Sequence, residues 1–406
     1  MVSNKLKIVH INTFPAGGAG VAAMRLHEAL LKNVDIESTF VCMSDEPLKL
    51  KNTICIPFKK ATIWEKIVNK LFKPVMAEQL KERLVNKYHP RCEFLGLPYS
   101  DYSIEKIQQV MDADIINLHW ISGFINYPTF FKEIQKPIVW TIHDLSPFMG
   151  CFSYPIEEKN NPEMAKINSA FYKEKINALK GYKHQIYVIG PSKWIMEEAK
   201  KYQPFSPLKY YHIPNGIDSN QLDYINTEKA RRELGLSQDV CILLFVCEHV
   251  ENKRKRFDRI LNLVEKLSND KIIFIAVGNK SNVYLNNRIH FTGKITSLEK
   301  LNLYYASADY FLMPSQEDNF PNVVLESLFC GTPVISNNVG GMKDIINSTN
   351  GFLIDDFDVE TIAQLINNRL CSADFFNRQE ISTLIKEKYD IKQMVNEYIK
   401  IYGQCV

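Results

Sequence analysis

Three things are scarce in this chain, and each absence excludes something. Charge imbalance is the first. The 406 residues carry 49 Lys and Arg against 46 Asp and Glu, a net charge of +3. That leaves no bulk electrostatic pull toward nucleic acid, and no nucleic-acid partner is expected. Long apolar runs are the second. None approaches the roughly 20 residues a membrane span requires. The N-terminal LKIVHIN enters a strand at once, without the charged region, apolar core or cleavage site of a signal peptide. A cytoplasmic location is the expectation. The third is paired cysteine. Nine Cys are scattered with no C-x-x-C and no Cys/His pairs at zinc spacing. The odd number, with Cys42, Cys241 and Cys247 inside apolar strands, favours reduced core thiols over a disulfide framework. The apolar share of 46% and charged share of 23% are those of a soluble globular protein long enough for two domains.

What is present alternates. Residues 6–13 (LKIVHINT) read as a strand, Phe14 to Gly20 (FPAGGAG) as a glycine-rich turn, and about 21–32 as a helix. Strand, glycine loop and helix start have the shape of a phosphate site, but GGAG lacks the spacing of a dinucleotide fingerprint. A tight turn that merely opens a helix fits equally well. Strands follow at 38–43, 53–57, 114–121, 138–144, 185–190 and 209–214, with helices at 103–111, about 163–180 and from Ser192. After the turn-rich Pro214-Asn-Gly-Ile-Asp218 a second series begins. Its strands lie at 241–247, 271–278, 289–293, 310–314, 333–337 and 351–355, with helices at 257–268, 297–306, 321–330 and 358–370. Helices near 374–388 and 391–403 close the chain. Strands separated by helices argue parallel sheets covered on both faces, with ligands beyond the carboxyl ends of the strands. His119 and His143 both fall there, at equivalent strand ends.

One segment departs in composition. Residues 47–91 hold eleven Lys and Arg against three Glu, a net charge of +8. Trp64, Ile67, Val68, Leu71 and Phe72 recur among the lysines at helical spacing. Residues 59–91 therefore read either as a basic amphipathic segment for an anionic membrane surface, or as a solvated face packed on its own domain.

The most informative stretch is Tyr310 to Gly341, YFLMPSQEDNFPNVVLESLFCGTPVISNNVGG. A strand leads to an acidic loop with Glu317 and Asp318, then to a helix placed to open at Pro321 and end near Gly331, as the positional preferences of Pro and Gly suggest. The N–H groups of Asn322, Val323 and Val324 would form an anion site at the helix mouth, beside two carboxylates. Phosphate-binding and hydroxyl-binding ends a few residues apart suit a nucleotide-sugar.

This stretch, with GGAG after the first strand, PSKW at 191–194 and IPNGID at 213–218, resembles the family-4 glycosyltransferases, the retaining, glycogen-synthase-like group. LHW at 118–120 and the His-Asp at 143–144 resemble a branch that builds capsules and exopolysaccharides. The resemblance implies an α/β chain of GT-B fold, with two Rossmann-like doubly wound parallel-sheet domains facing a cleft. The acceptor domain would be 1–214, with the helix of 391–406 packing back on it, and the nucleotide-sugar donor domain 215–390. No cofactor or metal is expected. The partners would be a nucleotide-sugar donor and a glycan or lipid-linked acceptor, with a peripheral position at the inner face of the cell membrane if 59–91 binds lipid.

Carried onto matching positions, the resemblance also implies roles. The family's Glu-x7-Glu becomes Asp318 and Glu326 here, with Glu317 one residue early. The first acid would hold donor-sugar hydroxyls, through Asp318 or Glu317, and Glu326 the ribose. Arg254 and Lys255 would hold the diphosphate, although the family's usual Gly-Arg directly after the strand is Cys247-Glu248. His143 would lie near the anomeric carbon, and Gly17, Gly18 and Gly20 near the phosphates. Gly293, Lys294 and Ile295 would meet the base, while Phe320 and Pro321 complete the helix mouth. His119, Trp120 and Asp144 are expected on the acceptor side. Asp112-Ala-Asp114 and Asp356-Phe-Asp358 do not suit a metal; the second reads as a helix cap. A nucleotide-sugar epimerase of the same fold and a non-catalytic sugar-nucleotide-binding protein are the competing readings.

Overall fold

The computed structural model describes residues 5–59, 76–202, 208–267, 269–279, 288–369 and 375–406. The apolar helix repeat at 64–72, on which the membrane reading rests, lies outside them. Two compact units divide the chain: Met1–Pro214 with Met394–Val406, and Asn215–Gln393.

In the first unit seven strands pair in parallel: β1 (Leu6–Ile11), β2 (Ile36–Met43), β3 (Thr53–Ile56), β4 (Ile115–Leu118), β5 (Ile138–Thr141), β6 (Ile186–Gly190) and β7 (Leu208–His212). Their order is β3-β2-β1-β4-β5-β6-β7. The central strands β4, β5 and β6 are buried along their whole length, which is why they read as mostly apolar runs rather than alternating ones. The order reverses between β1 and β4, so the chain diverges there and leaves a crevice beyond the strand ends.

The second unit repeats the plan with six parallel strands: β8 (Cys241–His249), β9 (Ile272–Asn279), β10 (Ile289–Gly293), β11 (Tyr310–Met313), β12 (Val334–Asn337) and β13 (Gly351–Ile354). The order β10-β9-β8-β11-β12-β13 reverses between β8 and β11. The loops after those two strands are the basic turn and the acidic loop, which is how 64 residues of separation become a direct contact.

Several boundaries differ from expectation. The helix placed at 21–32 runs Gly17–Leu30, so the glycines form its first turn rather than a loop ahead of it. The strand expected to reach 121 stops at Leu118. There the Asn12 side chain takes the Trp120 N–H at 2.8 Å, in place of a strand carbonyl. The single helix at 103–111 is a 3-10 turn, Ile104–Lys106, and a short helix, Gln108–Asp112, separated by the extended Ile107. Pro321 precedes the helix Asn322–Phe329 with extended backbone instead of occupying its first turn.

The last helix, Ile391–Tyr402, starts in the second unit and finishes in the first. Within the first unit Tyr398 Oη meets Thr141 Oγ1 at 2.8 Å, and Tyr402 Oη donates to Asn117 Oδ1 at 2.5 Å. All eight cysteines among the described residues are free thiols.

Candidate functional site

In the second unit the basic turn begins where Asn252 Oδ1 accepts the Arg254 N–H at 3.0 Å. Residues Lys253–Lys255 make one 3-10 turn, and Arg256 reverses the chain in the left-handed region at φ 53°. The Arg254 carbonyl accepts from the Gln316 N–H at 2.8 Å, tying this turn to the acidic loop. Arg254 Nη1 then donates to the Glu317 carbonyl at 2.8 Å and to Asp318 Oδ2 at 3.2 Å. Lys255 Nζ reaches the same Asp318 oxygen at 2.5 Å. All three side chains are largely buried. Burial pushes the Asp318 carboxyl up, but Lys255 and Arg254 outweigh it and hold the group below the usual carboxylate range. Asp318 is therefore a carboxylate whose one oxygen is shared by the two cations assigned to the diphosphate.

The backbone of Asp318 is held by glycines that sequence reasoning passed over. Gly341 N–H donates to the Asp318 carbonyl at 3.1 Å. A Cβ at Gly340, where φ is +54°, would lie 1.8 Å from that carbonyl oxygen. Only glycine permits this approach. The Gly-Gly pair after β12 is the signal that could have found it.

The helix mouth differs in one respect from expectation. Val324 N–H is spent on the Pro321 carbonyl at 3.1 Å, so it does not serve an outside anion. Asn215 Nδ2 donates to the Phe320 carbonyl at 3.4 Å and to Asn322 Oδ1 at 3.3 Å, fixing the entry to the helix from the IPNGID segment. Val323, the next residue, packs half-buried against the core. Glu326 is buried, and its Oε2 accepts from Tyr305 Oη at 3.0 Å. Tyr305, fully buried on the helix Leu298–Ser307, gave no sign in sequence of touching this acid.

At the end of β10, Gly293 has φ +73° with open space where a Cβ would stand. Lys294 pairs with Glu248 at 3.6 Å, both half-exposed. The residue that departs from the family pattern thus has a local partner. Ile295 packs partly against the core. A cavity of about 220 Å³ nearby is lined by Arg256, Arg259, Gln316, Asn337, Asn338 and Asp356 among others, and by none of the residues assigned from sequence.

The two Asp-x-Asp runs have structural work. Asp358 caps the helix Val359–Arg369 through Thr361 N–H at 2.9 Å. Asp114 accepts from the Lys7 N–H at 2.8 Å, and Asp112 from Gln108. No cluster of metal ligands occurs among the described residues.

In the first unit Gly17 opens its helix at φ +76°, and a Cβ on Gly20 would lie 2.4 Å from the Phe14 carbonyl oxygen. Gly18 has no atom within 4 Å of that position. Three histidines then stack at the switch point. His10 Nδ1 meets His119 Nε2 at 3.1 Å, and His119 Nδ1 meets His143 Nε2 at 3.2 Å. The ring centroids are 5.4 Å apart at both steps. Burial pushes all three below the usual histidine range, His143 to about 4, with neighbouring imidazoles adding to the shift for His119. Both nitrogens of His119 are thus engaged within the protein. His10 is the member that sequence reasoning missed, because a lone histidine inside β1 carries no local sign of its neighbours.

Beside this column Trp120 Nε1 donates to Asp144 Oδ2 at 2.9 Å, and Asp144 Oδ1 accepts the Ser146 N–H at 2.9 Å. Burial pushes Asp144 up, against these hydrogen bonds. Lys175, also missed, is fully buried and donates to the Ser146 carbonyl at 2.7 Å; burial brings it down to about 8.

Comparison with known proteins bears on the family and the fold. The family model described as Glycosyltransferase Family 4 matches residues 16–221, and that described as Glycosyl transferases group 1 matches 241–372. An uncharacterized 41.2 kDa protein in the cps region of Klebsiella pneumoniae is 25% identical over 71% of this chain and 78% of its own length. The O-antigen biosynthesis glycosyltransferase WclY of Escherichia coli is 28% identical over 52% of this chain and 60% of its own. The putative teichuronic acid biosynthesis glycosyltransferase TuaC of Bacillus subtilis is 26% identical over 47% of this chain and about half of its own length, 49%. Among solved structures, sucrose-phosphate synthase from Thermosynechococcus elongatus superposes with a TM-score of 0.71 at 18% identity, covering 98% of this chain and 99% of that one. HepE of Anabaena, crystallised with UDP and glucose, gives 0.68 at 14% identity, with 98% and 99% covered.

Proposed function

Since the chain belongs to glycosyltransferase family 4 and has the GT-B fold, we propose that it moves a hexose-type sugar from a nucleoside-diphosphate-sugar to a glycan or lipid-linked acceptor. Relatives in capsule and O-antigen loci support a place in bacterial surface-polysaccharide synthesis. The observation that carries the reading is the Arg254–Lys255–Asp318 cluster, held beside the mouth of the helix that bears Glu326.

Chemically, the leaving nucleoside diphosphate gains negative charge as its bond to the anomeric carbon breaks. Arg254 and Lys255, fixed in advance by Asp318, stabilise that charge without reorganising, which is how preorganised donors lower a barrier. Glu326 takes the ribose. The Tyr305 hydroxyl, donating to Oε2 at 3.0 Å, holds that carboxylate in orientation. In the proposed step the acceptor hydroxyl attacks the anomeric carbon from the side the phosphate leaves. Its proton passes to the departing phosphate oxygen, and configuration is retained. To His143 we assign contact with the donor sugar. The charge on the leaving group is met by side chains, so EDTA should leave the rate intact.

A thermal-shift screen of UDP-, GDP- and ADP-sugars tests the binding half, because a ligand that binds only the native state raises its apparent stability. UDP-sugars come first, since HepE was crystallised with UDP. Loss of the shift in Glu326→Ala is expected. Unchanged donor affinity in that variant would remove the ribose role. Turnover with an acceptor completes the test, and consumption of donor without one would identify an epimerase instead. Residues 59–91 are carried as the membrane-facing segment, and failure to sediment with anionic liposomes would remove that assignment.

A further inference from the structure

His10, His119 and His143 lie in one hydrogen-bonded line, and the line has only two self-consistent proton arrangements. Burial keeps the imidazoles neutral at pH 7, so each ring carries one N–H and one acceptor nitrogen. Each N···N contact holds one proton. In the first arrangement His10 Nδ1–H donates to His119 Nε2, and His119 Nδ1–H donates to His143 Nε2. The proton of His143 then sits on Nδ1. In the second, His143 Nε2–H donates to His119 Nδ1, and His119 Nε2–H donates to His10 Nδ1. The proton of His10 must then sit on Nε2.

The far end of the column separates these. His10 is fully buried, and its Nε2 has no hydrogen-bond partner among the described residues. The second arrangement puts a buried N–H there with nothing to accept it, and orphaned buried N–H groups are the rarer and costlier kind. The first leaves only a lone pair. His27 is no rescue: its Nε2 is 3.0 Å from the Lys51 carbonyl and so must itself be a donor, while its Nδ1 meets Ser38 Oγ at 2.7 Å.

We propose that His10 and His119 are positioning residues that set the proton register of His143, holding it as the Nδ1–H tautomer with Nε2 blocked. Any group bonded to His143 Nδ1, in the protein or on a substrate, then meets a donor. His143 accordingly holds a hydroxyl or phosphate oxygen and takes no proton from the acceptor. This deepens the glycosyltransferase reading and rests on the role given there to His143. The control comes from the opposite side of β4, at a residue fully buried in β1.

The test is long-range proton–nitrogen correlation spectroscopy on the full chain, labelled with nitrogen-15 histidine, at neutral pH and without sugar. His10, His119 and His143 are expected as Nδ1–H tautomers with acceptor-type Nε2. His143 or His119 protonated on Nε2 overturns the proposal, whatever the activity. Two variants carry it to function. His119→Phe keeps the ring and removes the donor. It should give His143 mixed tautomers and lower kcat by up to about 100-fold with donor KM little changed. In His119→Asn the amide N–H stands near the Nδ1 position, and it should restore the His143 tautomer and much of kcat. Equal kcat in the Phe variant and the unaltered chain overturns the positioning role. Full turnover in His143→Ala instead removes the role of His143 in the reaction, and the spectra remain the separate measure of the register.

Discussion

Asp318 Oδ2 accepts from both Arg254 and Lys255, so a substitution that removes its charge strands two largely buried cations. Breaking a buried ion cluster by deleting one partner costs up to about 3–5 kcal/mol. The partial exposure of Lys255 argues for the lower end. Asp318→Asn should therefore lower stability to urea while leaving two unneutralised cations. Affinity for a nucleoside diphosphate should be kept or raised as turnover falls, because the cations lose their internal competitor together with the carboxylate that fixes them in advance. Weaker diphosphate binding by calorimetry would contradict this. The histidines make a second residue-scale prediction. His143 titrates near 6.5 when unfolded and near 4 when folded, with His10 and His119 displaced the same way. Between those values the unfolded chain binds more protons. Stability is thus full above about pH 6.5 and is lost as pH falls toward about 4. A melting temperature that is flat from about pH 7 to about pH 4.5 would show that the column is not buried in the neutral form.

At the scale of elements, the helix Gly17–Leu30 and the capped helix Lys193–Lys201 make the sharpest cases. A Cβ on Gly20 would press on the Phe14 carbonyl oxygen at 2.4 Å and the Pro15 carbonyl carbon at 2.7 Å. Backbone cannot yield as a flexible side chain can. Gly20→Ala should cost about 1–3 kcal/mol by overpacking, measured by denaturant unfolding, whereas Gly18→Ala, with nothing within 4 Å, should be near neutral. Ser192 Oγ accepts the Ile195 N–H at 3.1 Å, and Ser192→Ala should cost about 1 kcal/mol. That cap was legible in PSKW because the hydroxyl acts within its own turn. The strand ends were not. Asn12, just past the end of β1 and 108 residues away, takes the Trp120 N–H, and nothing local to Trp120 announces it. The first turn at Gly17 was misplaced for a related reason: glycine's low helix propensity argued for a loop, and packing of Phe14 and Pro15 on the helix start overrode it.

At the scale of the whole molecule, the C-terminal thirteen residues belong to the first unit. Tyr402 is fully buried and donates to Asn117, itself buried beside Thr141, which meets Tyr398. Tyr402→Phe removes the donor and leaves a buried amide oxygen short of its bond, which should cost roughly 1–3 kcal/mol. Faster proteolysis within residues 1–214 of that variant, with 215–393 unaffected, is the expected signature. Equal cleavage of both units would contradict it.

The parallel α/β plan and both series of strands could be read from the chain alone, and the motif around Asp318 and Glu326 marked candidate residues. Apolar runs must be covered on both faces, and short motifs carry their own caps and turns. Contacts between distant segments could not be read. Tyr305 on Glu326, Gly340 under Asp318 and the lysine at 175 depend on which elements pack together, and the His10 end of the imidazole column on which strands become neighbours at a reversal of sheet order. Pairing order is settled by packing of whole faces, so the sequence specified which residues carry charge and protons, and the tertiary structure decided which of them share one.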